Sequence, residues 1–110
     1  MTAPPISPFE IPLQPATPQE FTVTLASVTY TMRVRWNGVG GVWILDIFDS
    51  TGDVLIIGGL AMVTGADLLK PYAYLDFGGA LVVQSDQQPD ALPTFENLGK
   101  TSHLYFVTMP

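Results

Sequence analysis

Two stretches of the chain alternate apolar and polar positions with a period of two. In "FTVTL", Phe21, Val23 and Leu25 fall on one side and Thr22 and Thr24 on the other. After Ala26 and Ser27 the pattern resumes through "VTYTMRVRW", with Val28, Tyr30, Met32, Val34 and Trp36 opposed to Thr29, Thr31, Arg33 and Arg35. Side chains of a strand point alternately to its two faces, so this spacing predicts half-buried strands joined as a hairpin. "NGVGG" then supplies the glycines that a sharp reversal needs. "VWILDIFD" and "DVLIIGGLAMV" are denser in apolar residues and predict a second hairpin, more deeply covered, across "STG". Gly58-Gly59 marks a bulge or a close backbone approach in its second strand.

Further along, "TGADLLKP" is the one helix-like spot, a single turn capped by Thr64 and cut off by Pro71. "YAYLDF" reads as a short strand or extended loop, and "ALVVQSD" as a strand after Gly78-Gly79. "QQPDALPTFENLGK" is a long polar loop, and "TSHLYFVTM" is the last strand. Short strands separated by glycine-rich turns predict an all-β fold, a small antiparallel β-sandwich or barrel of six or seven strands. Residues 19–110 are expected to form it as a single β domain.

Residues 1–18, "MTAPPISPFEIPLQPATP", do not fit that pattern. Six prolines (4, 5, 8, 12, 15 and 18) hold this segment near polyproline II, as an extended proline-rich N-terminal arm. At ~3.1 Å per residue it reaches up to roughly 55 Å, more than the ~30 Å width expected of the domain behind it. Ile6, Phe9, Ile11 and Leu13 make it too apolar for a solvated tail, so these four are the candidate interface residues. Burying them is worth up to roughly 6–12 kcal/mol, against ~1–2 kcal/mol per ordered residue. The arm therefore orders only in a groove, of its own domain or of a neighbouring subunit, and otherwise stays disordered. Its deletion is expected to leave the β domain folded and to weaken assembly.

Composition sharpens the picture. The chain is 47% hydrophobic and 13% charged, against a usual charged fraction of about 25%, which suits surfaces that meet other proteins. A net charge of −6 offers no footprint for phosphates, so no nucleic acid is expected as a partner. No cysteine is present, which removes disulfides, thiol catalysis and cysteine metal sites. The first residues lack the basic start of a secretory signal, and the apolar runs fall short of a membrane span, so a soluble protein is expected.

Candidate chemistry is sparse. His103 is the single histidine, with no carboxylate beside it in sequence to set its pKa. Asp46, Asp49 and Asp53 lie close together, but their spacing departs from a calcium loop and fits a turn organised by Asp49 and Gly52. The glycine pairs at 40–41, 58–59 and 78–79 do not form a phosphate cradle, and Ser85 beside Asp86 matches no nucleophile motif. Asn37 and Asn97 lack a glycosylation signal. Trp36, Trp43, Tyr72, Tyr74, Phe77 and Phe95 line either a sugar-binding groove or, more simply, a core or protein interface. No catalytic residue, metal site or cofactor is expected; a β-sandwich module for carbohydrate or receptor is the alternative, and a small hydrolase using Asp46, Asp49 or His103 a distant third.

The stretches "RVRWNGVGGVWILDIFDSTGD", "VTGADLLKPYAYLDFGGALVVQSD" and "PTFENLGKTSHLYFV" resemble the baseplate plug proteins of contractile-tailed bacteriophages, over about residues 19–107. The sharpest parts are the Asp-Leu-Leu-x-Pro-Tyr turn at 67–72 and the Asn-Leu-Gly-x-Thr-Ser stretch at 97–102. The resemblance implies a structural, β-rich virion protein of the tail baseplate, packed near the central hub and tube. Its partners would be hub, tube and spike-associated baseplate proteins and copies of itself, with the host cytoplasm as its place during assembly. The arm aligns with no motif of the family.

Overall fold

The structure is a computed structural model that describes residues 8–86 and 91–108. Seven strands form two antiparallel sheets. They are β1 (Pro8–Ile11), β2 (Gln19–Leu25), β3 (Val28–Asn37), β4 (Val42–Phe48), β5 (Leu55–Ala61), β6 (Gly79–Ser85) and β7 (Ser102–Thr108), with one 3₁₀ helix at Lys70–Leu75. One sheet runs β2-β3-β4-β5, and the other β1-β7-β6. The all-β reading holds, with a single short helical element among the described residues.

The alternation seen in the sequence becomes the two faces of the larger sheet. Leu25, Tyr30, Met32, Val34, Trp43, Leu45 and Ile47 point inward and are buried. They share one core with Leu81, Val83, Leu104 and Phe106 of the second sheet. Trp43 has no exposed surface; its indole N–H donates to the Thr94 carbonyl at 2.9 Å, the partner a buried tryptophan needs.

Turn chemistry sets the registers. Ala26 and Ser27 both take positive φ, at 49° and 72°, as the two-residue type I′ turn of a hairpin requires. In the β4–β5 hairpin Asp49 Oδ1 accepts from the amides of Asp53 and Val54 and from the Thr51 hydroxyl. The β4–β5 pairing matches Leu45 with Leu60 and Ile47 with Ile57, so Asp46 alone opposes both Gly58 and Gly59. That is the bulge, with Gly59 at φ 77°.

Two local expectations change. Pro71 does not cut off a turn capped by Thr64; it stands in the first turn of the 3₁₀ helix, where a missing N–H costs no hydrogen bond and φ is already set. Tyr72, Ala73, Tyr74 and Leu75 accordingly belong to that helix, not to a strand or extended loop. Residues 64–68 instead lie along the outer edge of β6, through bridges of Thr64 to Val83 and Asp67 to Val82. Residues 87–90 of the long polar loop lie outside the described residues.

Candidate functional site

The arm is the segment the sequence singles out, and part of it is a strand. Pro8, Phe9, Glu10 and Ile11 pair with Val107, Phe106, Tyr105 and Leu104. The prolines permit this four-residue strand, because Pro8 opens it and Pro12 lies beyond its end. Ile11 is 1% exposed and Leu13 8%, both in the common core, whereas Phe9 keeps 49% of its surface open. Ile6 lies outside the described residues. Since Ile11 and Leu13 fill the core, removing the whole arm strips apolar packing from the domain and leaves a hole there, which changes the effect expected of that deletion.

Several contacts hold this segment after β1. The Gln14 amide donates to the Gln19 side chain, which donates back to the Gln14 carbonyl, both at 2.9 Å. The Ala16 amide donates to the Phe95 carbonyl at 3.1 Å. Gly99, at φ 89°, comes so near the chain that a Cβ there would collide with the Leu13 carbonyl oxygen.

That explains the Asn-Leu-Gly-x-Thr-Ser stretch. The Asn97 carbonyl accepts from the amides of Lys100, Thr101 and Ser102, its side chain accepts from the Thr94 amide at 2.7 Å, Leu98 is wholly buried, and Gly99 seats the arm. The Asp-Leu-Leu-x-Pro-Tyr turn is likewise structural. Asp67 Oδ1 accepts from the amides of Leu69 and Leu81, pinning residues 64–68 over β6.

His103 has partners that no local sequence signal announces. Its Nδ1 lies 2.7 Å from Glu10 Oε2 and its Nε2 lies 2.8 Å from Asp86 Oδ2. One carboxylate comes from β1, the other from just beyond β6, and the imidazole on β7 joins them. The bond to Asp86, opposed by burial and reinforced by Glu10, raises the His103 pKa above its ordinary value. Tyr105 beside it is also raised, by burial first and then by the same two carboxylates.

The aspartates of the second hairpin do not converge. Asp46, 5% exposed, is bound by Arg35 Nε at 2.9 Å and by the Gly59 amide at 2.8 Å. Burial pushes its carboxyl up, but the Arg35 hydrogen bond, the Gly59 amide and the charges of Arg35 and Arg33 outweigh that and leave it below the ordinary carboxylate range. Asp49 is spent on its turn, where the Thr51 hydroxyl leads the backbone amides in lowering its pKa. Among the described residues, no group of three or more His, Asp or Glu side chains is arranged to hold a metal.

Nor do the aromatics form one groove. Trp43 stacks on Phe95 with ring planes 6° apart, and Trp36 meets both edge-on. Phe77 packs instead on Tyr30, at 5.0 Å between centroids. Tyr72 is packed against the core, and Tyr74 stands open at 78% exposure.

Among curated proteins, none matches this sequence. A family model described as "Cyanophage baseplate Pam3 plug gp18" matches residues 9–109, nearly the whole chain. The match takes in β1, which the resemblance read from the sequence did not reach. With two antiparallel sheets around one core, and loop motifs that serve to lock strands and arm, the chain belongs to this family of phage baseplate plug proteins.

Proposed function

We propose that the protein is a structural subunit lying near the central hub and tube of the tail baseplate, working by assembly and without catalysis. The family match over residues 9–109 carries this reading. The chemistry agrees with it: Asp46, Asp49 and His103 are each bound to other protein groups in ways that tie strands and turns together. Phe9, Val54, Leu55, Tyr74 and Leu92 are exposed apolar side chains on a molecule with few charges, the composition of surfaces that partners cover. Of the four arm residues, Ile11 and Leu13 act within the subunit, while Phe9 and the residues before it meet a hub, tube or spike-associated protein. Assembly proceeds in the host cytoplasm, and the finished place is the virion.

Electron cryomicroscopy of assembled tails tests this directly. Density for this fold in the baseplate beside the hub is expected. Tails that assemble with normal yield and length when the chain is missing would overturn the reading. Phe9→Ser, at a side chain half open to solvent, is expected to lower incorporation into tails at least several-fold while the isolated protein remains folded.

A further inference from the structure

The four sheet edges are treated very differently. Residues 64–68 cover the edge of β6. The edge of β5 is kinked by the Gly58-Gly59 bulge, and β1 has four residues, with proline at its first position and immediately after it. These are the usual devices against unwanted strand pairing. Within its own length the edge of β2 has none of them; Pro18 stands just before its first residue. The strand is seven residues long, in unbroken register with β3, with no proline and no bulge.

The direction of its backbone groups follows from the hairpin. A two-residue turn makes Leu25 and Val28 a pair that exchanges both backbone hydrogen bonds. Alternation then aims the amides and carbonyls of Gln19, Phe21, Val23 and Leu25 at β3, and those of Glu20, Thr22 and Thr24 at the open edge. Among the described residues, no backbone hydrogen bond reaches that edge. The polar side chains do not fold over it, because Glu20 is bound to Arg33 and Thr24 to Thr29 on β3. A cleft lined by Leu13, Gln14, Thr17, Gln19 and Phe21 separates the arm from the start of the strand.

We propose that β2 pairs antiparallel with β2 of a second copy, about a two-fold axis at Thr22, joining two four-stranded sheets into one of eight. At this register Thr22 faces Thr22 and Glu20 faces Thr24, each as a hydrogen-bonded pair, so all the outward backbone groups of both strands are satisfied. Phe21 faces Val23 twice, an aromatic against a β-branched residue, on the inner face. Both are half-buried in the single chain, and the partner covers what the chain's own core leaves open. The two Glu20 side chains end four residues apart, about 13 Å at ~3.3 Å per residue, beyond a Debye length of roughly 8–10 Å. A register centred on Glu20 would set them face to face. A pairing of this kind uses the same patch on both subunits and closes at two.

Purified full-length protein tests this pairing independently of the baseplate role, which assembled tails test. Sedimentation is expected to give twice the chain mass of 11.9 kDa, falling to the single mass on dilution. Thr22→Pro is expected to be a monomer at every concentration with an unchanged far-ultraviolet circular dichroism spectrum, since the Thr22 amide points away from β3. The chain has no cysteine, so Thr22→Cys carries one thiol and is expected to give a covalent dimer with a short bismaleimide. Ser50→Cys, in the turn after β4, is not. If Thr22→Pro fails to fold, the two cysteine variants decide. A wild-type monomer at all concentrations, a Thr22→Pro protein as dimeric as wild type, or equal crosslinking at both cysteines would overturn the proposal.

Discussion

His103 carries a carboxylate at each ring nitrogen, and both contacts favour the imidazolium. Its folded pKa is raised from an ordinary value of 6.5, so the stabilisation is complete below that value and disappears as pH rises through the raised one. Glu10 and Asp86 are themselves about half exposed, which limits the effect to about 1 kcal/mol. The melting temperature is therefore expected to fall by no more than roughly 4–8 °C as pH passes through this window, and His103→Gln to remove that slope. Asp46 works in the opposite direction. Its pKa is lowered from 3.8, so its contribution is present above that value and is lost as pH falls through the depressed one. An Asp46→Asn variant is expected to be less stable at neutral pH and to lose less on acidification. Gly99→Ala sets a Cβ against the Leu13 carbonyl at a positive φ and is expected to cost more than about 1 kcal/mol, read as a drop in the denaturation midpoint.

At the scale of elements, β1 decides how far the N-terminus can be trimmed. Removing residues 1–7 leaves every pairing of β1 with β7 in place and is expected to change the melting temperature little. Removing residues 1–13 takes away Ile11 and Leu13 as well, and is expected to cost at least about 4 kcal/mol, the range for loss of two buried aliphatic side chains. Urea denaturation of the two truncations separates these outcomes. The elements were unequally legible. Residues 21–36 declare their two faces by alternation, and the glycines of the β4–β5 hairpin declare its turn and bulge. β1 was hidden because its flanking prolines suit polyproline II as well as a short edge strand, and only pairing with β7 distinguishes them. His103 was opaque for a related reason. Its partners, Glu10 and Asp86, are brought to it by sheet order, which no local spacing encodes. Pro71 misled because the missing N–H and the ring that break a helix interior are harmless in the first turn of another.

For the whole molecule, charge and apolar surface point the same way. Four cationic side chains serve 110 residues, and two of them, Arg33 and Arg35, are tied to carboxylates of the same sheet. Apart from the exposed Lys70 and Lys100, the remaining charges are acidic, a balance suited to contact with proteins and poorly suited to grasping DNA. The larger sheet is built from neighbours in sequence, β2 to β5, whereas β7 takes the middle place in the smaller one, between the first strand and the sixth. On a ribosome, the hairpins from residue 19 to 61 emerge and close while the centre of the other sheet has not yet been synthesised. Pulse-labelled hydrogen exchange during refolding is expected to protect the amides of β3 and β4 before those of β1 and β6. Until residues 102–108 arrive, Ile11, Leu81 and Val83 lack the strand they sit beside, and the nascent chain carries Ile11 unsheltered until that strand is made.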